Sequence, residues 1–505
     1  MITTLHGPTV EVHDGRLRLE VQVDPAPGTV AGAAVFLEVE PGSDAVADAS
    51  VIPMVPAALV LACRLSQDLR VEEPLPPSLH EGPRHVARLL HEWYGWRPAE
   101  LIAPLGPDRV RPAWAHLPRG RAVFFTRGVD SWGALLDRME GPARQRPTHL
   151  ITLDNEVHLP VDIREGQLRD TRAAAERIGL QHIVVRTDVR SLLDQHTDWG
   201  TATHGSVLAG TGLLLRSTLQ EVVIAPTHWT PLLRPWGSHP ELDPAWSLPD
   251  LTVTHHSGHE ARWERVARIT ADPVAADTLM VCWQGTGTRN CGRCEKCLRL
   301  LTSLHLLGRL DATADRFDVP FDPAAVGPHL VVSPHPWCDT MDHLDRIGLS
   351  ADPLRQRWEA VQVSGRPTMW FQTRPIQPRI PLAVDGDDAE RADAVTAIGR
   401  RLAPLGLRVD HLADAGAGAG AEPDLGPALH VGRAPAGGWA VAIDPADDPI
   451  PLAELRADHL APLLAALGLD PTDAVPFRPD GQEPPPVVPE PPGWREAAAD
   501  EAAHR

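Results

Sequence analysis

From residue 121 onward, short apolar runs alternate with segments of helical period, and nothing else in the chain restricts the fold as much. The runs at 122–125, 148–153, 182–186, 221–225 and 279–282 have the length of buried strands. Between them, apolar spacing predicts helices near 131–139, 166–178, 206–217 and 260–270. Strands and helices in alternation predict an α/β fold: a parallel five-stranded sheet with crossover helices on both faces. Ligands of such sheets lie beyond the carboxyl ends of the strands. That rule nominates residues 126–131, then Asp154 and Glu156, then Asp188, then Thr227 and His228. Each of these serves equally well as a solvated loop residue.

The stretch 121–139 reads RAVFFTRGVDSWGALLDRM. A strand runs into a tight polar turn, and then Trp132, Leu135, Leu136 and Met139 recur at i, i+3, i+4 and i+7. Strand, glycine-containing turn and helix start aim unpaired N–H groups and the positive helix end at one point, which makes an anion site. Thr126 and Ser131 add hydroxyls, and Asp130 can cap the helix or face a metal ion. An ordinary capped turn would carry the same letters.

The six residues Thr126, Arg127, Gly128, Val129, Asp130 and Ser131 resemble the S-G-G-x-D-S signature of the PP-loop ATP pyrophosphatases. In that superfamily the loop holds the pyrophosphate of ATP while a substrate oxygen is adenylated. Thr126 keeps the hydroxyl of the first serine. Arg127 departs further, because glycine there lets backbone approach phosphate. The resemblance implies nucleotide contacts at Thr126, Gly128, Val129 and Ser131, and catalytic roles for Asp130 and Arg127. Arg262 and Glu264 stand where such domains often carry Lys-x-Glu, which makes Arg262 an outlying phosphate contact; a plain helical charge pair fits them as well.

Four of the six cysteines crowd together as C-x8-C-x2-C-x2-C, at Cys282, Cys291, Cys294 and Cys297. The C-x2-C turns let sulfurs converge on one ion, with Gly292 supplying backbone freedom. Tetrahedral four-sulfur ligation suits Zn²⁺ in a closed, structural site; an iron–sulfur cluster would use the same ligands. Arg289, Arg293, Lys296 and Arg299 are close enough in sequence to offset the thiolates. A PP-loop followed at its domain's end by this spacing resembles the layout of the 7-cyano-7-deazaguanine synthases, which turn a carboxylate into a nitrile with ATP and ammonia. The likeness spans about residues 120–307 and marks a divergent relative, one suited to specialised metabolism.

Around this core, residues 1–115 read as an α+β domain, with Leu17, Leu19, Val21 and Val23 alternating against Arg18, Glu20 and Gln22. A second strand is expected at 35–39 and helices at 57–65 and 86–96. Packing or homodimer formation is the role expected of this domain. The core is expected over 116–310, an extension over 311–375, a small α/β appendage over 376–470 and a proline-rich, poorly ordered tail over 471–505. The appendage carries strand-like runs at 380–384, 407–409, 429–431 and 439–443, and a helical pattern at 389–402. The loop 235–240, PWGSHP, is irregular enough to close over a substrate or to form a rigid turn.

A formal net charge of −20 argues against a broad nucleic-acid surface or an anionic membrane. Apolar runs such as 56–62 are too short to span a bilayer, and no signal peptide is expected, so the protein reads as cytoplasmic. The leading expectation is an ATP-dependent C–N ligase that takes ATP, Mg²⁺ and Zn²⁺ and acts on a small-molecule substrate. It would adenylate a carboxylate or amide oxygen, which a nitrogen nucleophile then attacks. Met1-Ile2 is unlike the N-terminal cysteine of asparagine synthetases, so ammonia would come from elsewhere. The alternatives are a zinc-stabilised binding protein with a degenerate loop, in which Arg127 fills the phosphate space, and tRNA sulfur transfer. The last is disfavoured by the acidic charge and by Cys63 and Cys338 lying outside the core.

Overall fold

The computed structural model describes residues 1–13, 16–27, 29–41, 45, 47–106, 119–155, 160–230, 233, 235–282, 288–332, 334–347 and 353–363; beyond these it describes 379–384, 394, 398, 408–411, 429–433, 439–442 and 450–451. Two compact units divide the chain, Met1–Ser364 and Gly365–Glu490.

The first unit is an α/β structure on one large, mostly parallel sheet. Its first part contains β1 (Ile2–Leu5), β2 (Thr9–His13), β3 (Arg16–Asp24), β4 (Ala33–Val39), α1 (Val55–Arg64), β5 (Asp68–Val71), α2 (Ser78–Tyr94) and β6 (Leu101–Ile102). Next come β7 (Gly120–Phe124), α3 (Val129–Glu140), β8 (His149–Asp154), α4 (Val161–Ile178), β9 (Gln181–Thr187), α5 (Val189–Leu193), α6 (His204–Leu214), β10 (Leu219–Ile224) and β11 (Thr252–His255). Helices α7 (Arg262–Ile269), α8 (Pro273–Thr278) and α9 (Glu295–Leu306) follow. Eleven strands form the sheet in the order β11-β10-β7-β8-β9-β4-β3-β1-β5-β6, with β2 beside β3.

Five consecutive strands, β11-β10-β7-β8-β9, pair in parallel. The fifth of them is not the expected run at 279–282. β11 takes that place with Thr-Val-Thr-His alternation, which suits an edge strand: Val253 enters the core while Thr254 turns to Glu221. Leu279 and Met280 are buried without joining a strand. The run packs against the turn after β7 instead of extending the sheet. β4 pairs antiparallel with β9, so strands from both sides of the boundary expected near residue 115 share one sheet; the boundary itself lies outside the described residues.

Side chains alternate cleanly between the two faces of the parallel block. Val123, Phe125, Leu150 and Val223 pack with α3, α4, α7, α8 and α9. Ala122, Phe124, Ile151, Ile183, Val185, Val222 and Ile224 pack with α1, α2, α5 and α6 on the other side. In β3 the expected alternation holds, with Leu19, Val21 and Val23 buried. Its opposite face is charged, where Arg16 pairs with Glu38 at 2.9 Å and Arg18 lies 3.7 Å over the Phe36 ring.

The stretch expected as an extension holds a short pair, β12 (Val331–Val332) with β13 (Gln362–Val363), and two helices, α10 (Pro334–Arg346) and α11 (Pro353–Glu359). Val326, Leu330, Leu344, Leu354 and Trp358 gather there on Leu298 of α9. The second unit contains β14 (Arg379–Val384), β15 (Arg408–His411), β16 (Leu429–Arg433), β17 (Trp439–Ala442) and β18 (Ile450–Pro451), in the sheet order β15-β14-β16-β17-β18. The first four of these strands fall on the four apolar runs expected for the appendage, and β18 was not expected. Its expected helix, apart from Ala394 and Ile398, lies outside the described residues, as does the proline-rich tail. Among the described residues, no helix is long and apolar enough to cross a membrane.

Candidate functional site

Chain order and sheet order diverge beside β7. The chain steps from β7 through β8 to β9, then returns to the other flank of β7 to lay down β10 and β11. Crevices at such reversals, outside the carboxyl ends of the strands, are where open α/β sheets take ligands. The residues that follow β7 are those of the expected anion turn.

Phe125 ends the apolar run and packs edge-on against Trp132 of α3, with ring centroids 4.9 Å apart. Between them the chain turns on Arg127, whose φ is +61°. L-residues other than glycine rarely adopt that conformation. It falls at the position where the PP-loop signature carries glycine. Gly128 is extended and precedes the helix, and its carbonyl accepts from the Trp132 N–H at 2.9 Å. The N–H groups of Val129, Asp130 and Ser131 open α3, where a helix has no internal acceptor for them. Ser131 is buried; its Oγ accepts from the Thr126 N–H at 3.3 Å and donates to the Gly128 carbonyl at 3.1 Å, closing the turn on itself. Thr126 is exposed at the rim.

Arg127 is 1 % exposed, and its guanidinium is turned toward α4. Its Nε donates to Thr171 Oγ1 at 3.0 Å, and its two terminal nitrogens reach Asp170 and the Gln167 carbonyl, each at 3.3 Å. Burial lowers its pKa to about 10, against the pull of Asp170. The side chain therefore supports the turn from behind.

Asp130 faces a basic group. Arg262 Nη1 reaches its two carboxylate oxygens at 2.7 and 2.8 Å, and Arg265 Nη1 reaches Oδ1 at 2.8 Å. Burial would raise the Asp130 pKa, but Arg262 and Arg265 outweigh it and hold the carboxyl below its usual 3.8. Arg299 and Lys296, from the first turns of α9, add to the same field. Arg299 pairs with Glu295 at 2.5 Å, and the Arg262 N–H donates to Asp339 on α10 at 3.4 Å. Four cations thus meet three carboxylates in a chain of net charge −20. Sequence reasoning singled out Arg262 but missed Arg265; its signal was the i, i+3 spacing in RWER. Lys296 and Arg299 were expected to offset thiolates, yet they lie within electrostatic reach of Asp130 and Arg262.

The four cysteines converge. One sulfur from each of Cys282, Cys291, Cys294 and Cys297 lies within 4.8 Å of the others, with Cys291 and Cys297 at 3.9 Å. A tetrahedral zinc with bonds near 2.3 Å sets sulfurs about 3.8 Å apart. The N–H groups of Arg293 and Cys294 donate to Cys291 Sγ at 3.4 and 3.3 Å. A hydrogen bond with the Cys282 sulfur, helped by burial, pushes the Cys294 thiol up to about 12, and thiolates this close cannot ionise together without a cation. Gly292 has φ +70°, and a Cβ there would stand 2.6 Å from Val319. The quartet could therefore hold a metal ion such as zinc.

Sequence reasoning also missed Asn290, which is fully buried. Its Oδ1 accepts from the N–H groups of Val281 and Cys282 at 2.8 and 3.1 Å, and its Nδ2 donates to the Leu279 carbonyl at 3.0 Å. Between those residues, the Met280 N–H donates to the Arg127 carbonyl at 3.0 Å. Metal quartet and anion turn are joined by backbone.

Three of the other nominated residues have structural partners, and Thr227 is half-buried. Asp154 meets Arg164 at 3.2 Å, and Asp188 accepts the Phe36 N–H at 2.9 Å. His228 lies against Trp236 with centroids 4.9 Å apart. In the 235–240 loop, Ser238 Oγ donates to Asp243 at 2.6 Å, and Asp243 in turn holds His255 Nδ1 at 2.8 Å, so this loop is pinned to β11. Glu156 lies outside the described residues. No protein-family model matches the chain, and no curated protein matches it.

Proposed function

We propose that the chain is an ATP-dependent, AMP- and pyrophosphate-forming ligase of the PP-loop type. The observation that carries the reading is the turn at the strand-order reversal, where open helix N–H groups stand among Arg262, Arg265, Lys296 and Arg299. Oriented amides and cations of this kind stabilise a departing polyphosphate. The order β9-β8-β7-β10-β11 and the cysteine quartet support the same reading.

In the proposed reaction, a carboxylate or amide oxygen of a small-molecule substrate attacks the α-phosphorus of ATP, and the bond to the β-phosphate oxygen breaks. Pyrophosphate leaves into the cradle of Thr126, Gly128, Val129 and Ser131. A nitrogen nucleophile then attacks the activated carbon and releases AMP. Asp130 would hold Mg²⁺, which would neutralise phosphate charge. Arg262, held to Asp130 in this state, exchanges that partner for phosphate. Arg127 keeps the turn in shape from α4 and takes no part in the chemistry. A zinc-filled quartet has no open coordination position and serves the structure. The acidic chain suits a cytoplasmic enzyme of small molecules.

ATP–pyrophosphate exchange with wild type and Asp130→Ala tests the proposal. Exchange in wild type, lost in the variant, supports it. Absence of both nucleotide binding and exchange across carboxylate substrates overturns it in favour of a zinc-stabilised binding protein.

A further inference from the structure

We infer that Asn290 is a positioning residue that couples metal binding at the cysteine quartet to the anion affinity of the 126–131 turn. The inference rests on the anion site proposed above and adds a thermodynamic link between it and the metal site.

Asn290 stands next to Cys291, the second ligand, and its side chain grips the backbone of 279–282, which ends in the first ligand, Cys282. Its own backbone is fixed as well: its N–H donates to Arg316 at 2.8 Å and its carbonyl accepts from Asp318 at 2.9 Å. The 279–282 segment is thus clamped between a buried amide and the quartet. Met280, inside the clamp, holds the Arg127 carbonyl at 3.0 Å.

That carbonyl belongs to the peptide unit joining Arg127 to Gly128. In a trans peptide the C=O and N–H point in opposite directions. Holding the Arg127 oxygen toward Met280 therefore aims the Gly128 N–H away from Met280, toward the open side of the turn. The same bond restrains a residue at φ +61°, a conformation that persists only where its surroundings enforce it. Four sulfurs drawn onto one ion fix Cys282, and through it Met280. Without the ion, Cys282 keeps only sulfur–sulfur hydrogen bonds to Cys294 and Cys297, which hold the end of the clamp less firmly than a shared metal. Metal binding thus favours the conformation that binds anions, and by linkage anion binding favours metal by the same factor.

The test uses the full chain, with Co²⁺ or Zn²⁺ as the metal and pyrophosphate as the anion. Calorimetric titration of metal-loaded and chelator-treated protein should give pyrophosphate affinity about tenfold tighter with metal, and metal affinity tighter by the same factor with pyrophosphate. Asn290→Ala should keep the four-sulfur cobalt absorption band while the coupling factor falls below about twofold. Asn290→Asp, which retains the acceptor for Val281 and Cys282, should recover part of it and serves where the alanine variant fails to fold. Equal pyrophosphate affinity with and without metal in wild type overturns the inference, as does undiminished coupling in both variants. Where pyrophosphate binds neither form, the proposed function falls and hydrogen exchange at the Met280 amide decides. Faster exchange on metal removal, with Leu19–Val23 of β3 still protected, supports the coupling; an unchanged rate overturns it.

Discussion

Arg262 reaches both carboxylate oxygens of Asp130 through a single nitrogen, at 2.7 and 2.8 Å, while Arg265 holds Oδ1 from the next turn of α7. Asp130 opens α3, so the contact binds two helices across the mouth of the anion turn. Arg265 is 4 % exposed in its side chain, and removing Asp130 leaves that charge without its carboxylate.

Asp130→Asn should therefore destabilise the protein by about 2–3 kcal/mol near neutral pH, less than a fully buried pair because Asp130 is partly solvated. The folded pKa lies below the unfolded value of 3.8, so the carboxylate's contribution is complete above 3.8 and fades as pH falls through the folded pKa. Denaturant midpoints for wild type and variant should differ at pH 7 and converge below pH 3.8. A gap that persists in acid would show that the lost stability came from packing.

The metal quartet gives a second expectation. Cys297 is fully buried among Leu300, Leu301 and Leu304, so its ligand atom is fixed by the core of α9. Purified protein should contain about one zinc per chain, and Cys297→Ser should lose most of it, because three sulfurs and a hydroxyl make a weak site. Thermal unfolding should shift to lower temperature in the variant and in chelator-treated wild type alike. Metal analysis with calorimetry measures both. Stoichiometric zinc in the variant would mean that the four sulfurs do not share one ion.

Much of this arrangement was legible in the sequence, because period and spacing are local properties. The strand, turn and helix around Arg121–Met139 and the C-x8-C-x2-C-x2-C spacing both fold as their letters imply. Leu279–Cys282 misled, since a short apolar run buried by packing has the same composition as a short strand. β11 was missed for the complementary reason: Thr-Val-Thr-His is an edge strand with a single buried apolar side chain. The joining of the N-terminal strands to the core through β4 and β9 depends on pairing between residues about 150 apart, which no local pattern encodes. Asn290 was invisible for the same reason, and Arg265 showed only its i, i+3 spacing from Arg262. Their partners lie in other segments, and neither residue type announces a buried role by itself.

His182 carries a pH expectation. Thr152 donates its hydroxyl to the Phe125 carbonyl at 2.9 Å, so its oxygen accepts from His182 Nε2 at 2.8 Å and the ring is neutral with Nδ1 bare. Burial, helped by Arg172, lowers the His182 pKa from 6.5 to about 4. The unfolded chain therefore binds a proton there before the folded chain does. Stability from this residue is complete above pH 6.5 and is lost as pH falls toward 4. Allowing for its partial exposure, the loss is about 1–2 kcal/mol. His239 and His343, also lowered to about 4, add to the slope. Urea midpoints between pH 7 and 4 should fall less steeply in His182→Gln, whose amide can still donate to Thr152. Equal slopes would place the acid sensitivity elsewhere.

Arg127 offers a test in which two similar variants should differ. Both Arg127→Gly and Arg127→Ala remove the buried guanidinium and its bonds to Thr171, Asp170 and Gln167, at a cost of about 2–4 kcal/mol. Only glycine is at ease at φ +61°, so the glycine variant should be more stable than the alanine variant by about 1 kcal/mol. The usual helix-side preference for alanine over glycine would predict the opposite order, which makes the comparison decisive. Because the side chain faces α4, Arg127→Gly should keep pyrophosphate affinity within about threefold of wild type, a difference smaller than one lost charged contact. Chemical denaturation and calorimetry on the two variants read both quantities. Alanine equal to glycine would remove the left-handed turn, and a loss of anion binding far beyond threefold would return Arg127 to the phosphate side of the loop.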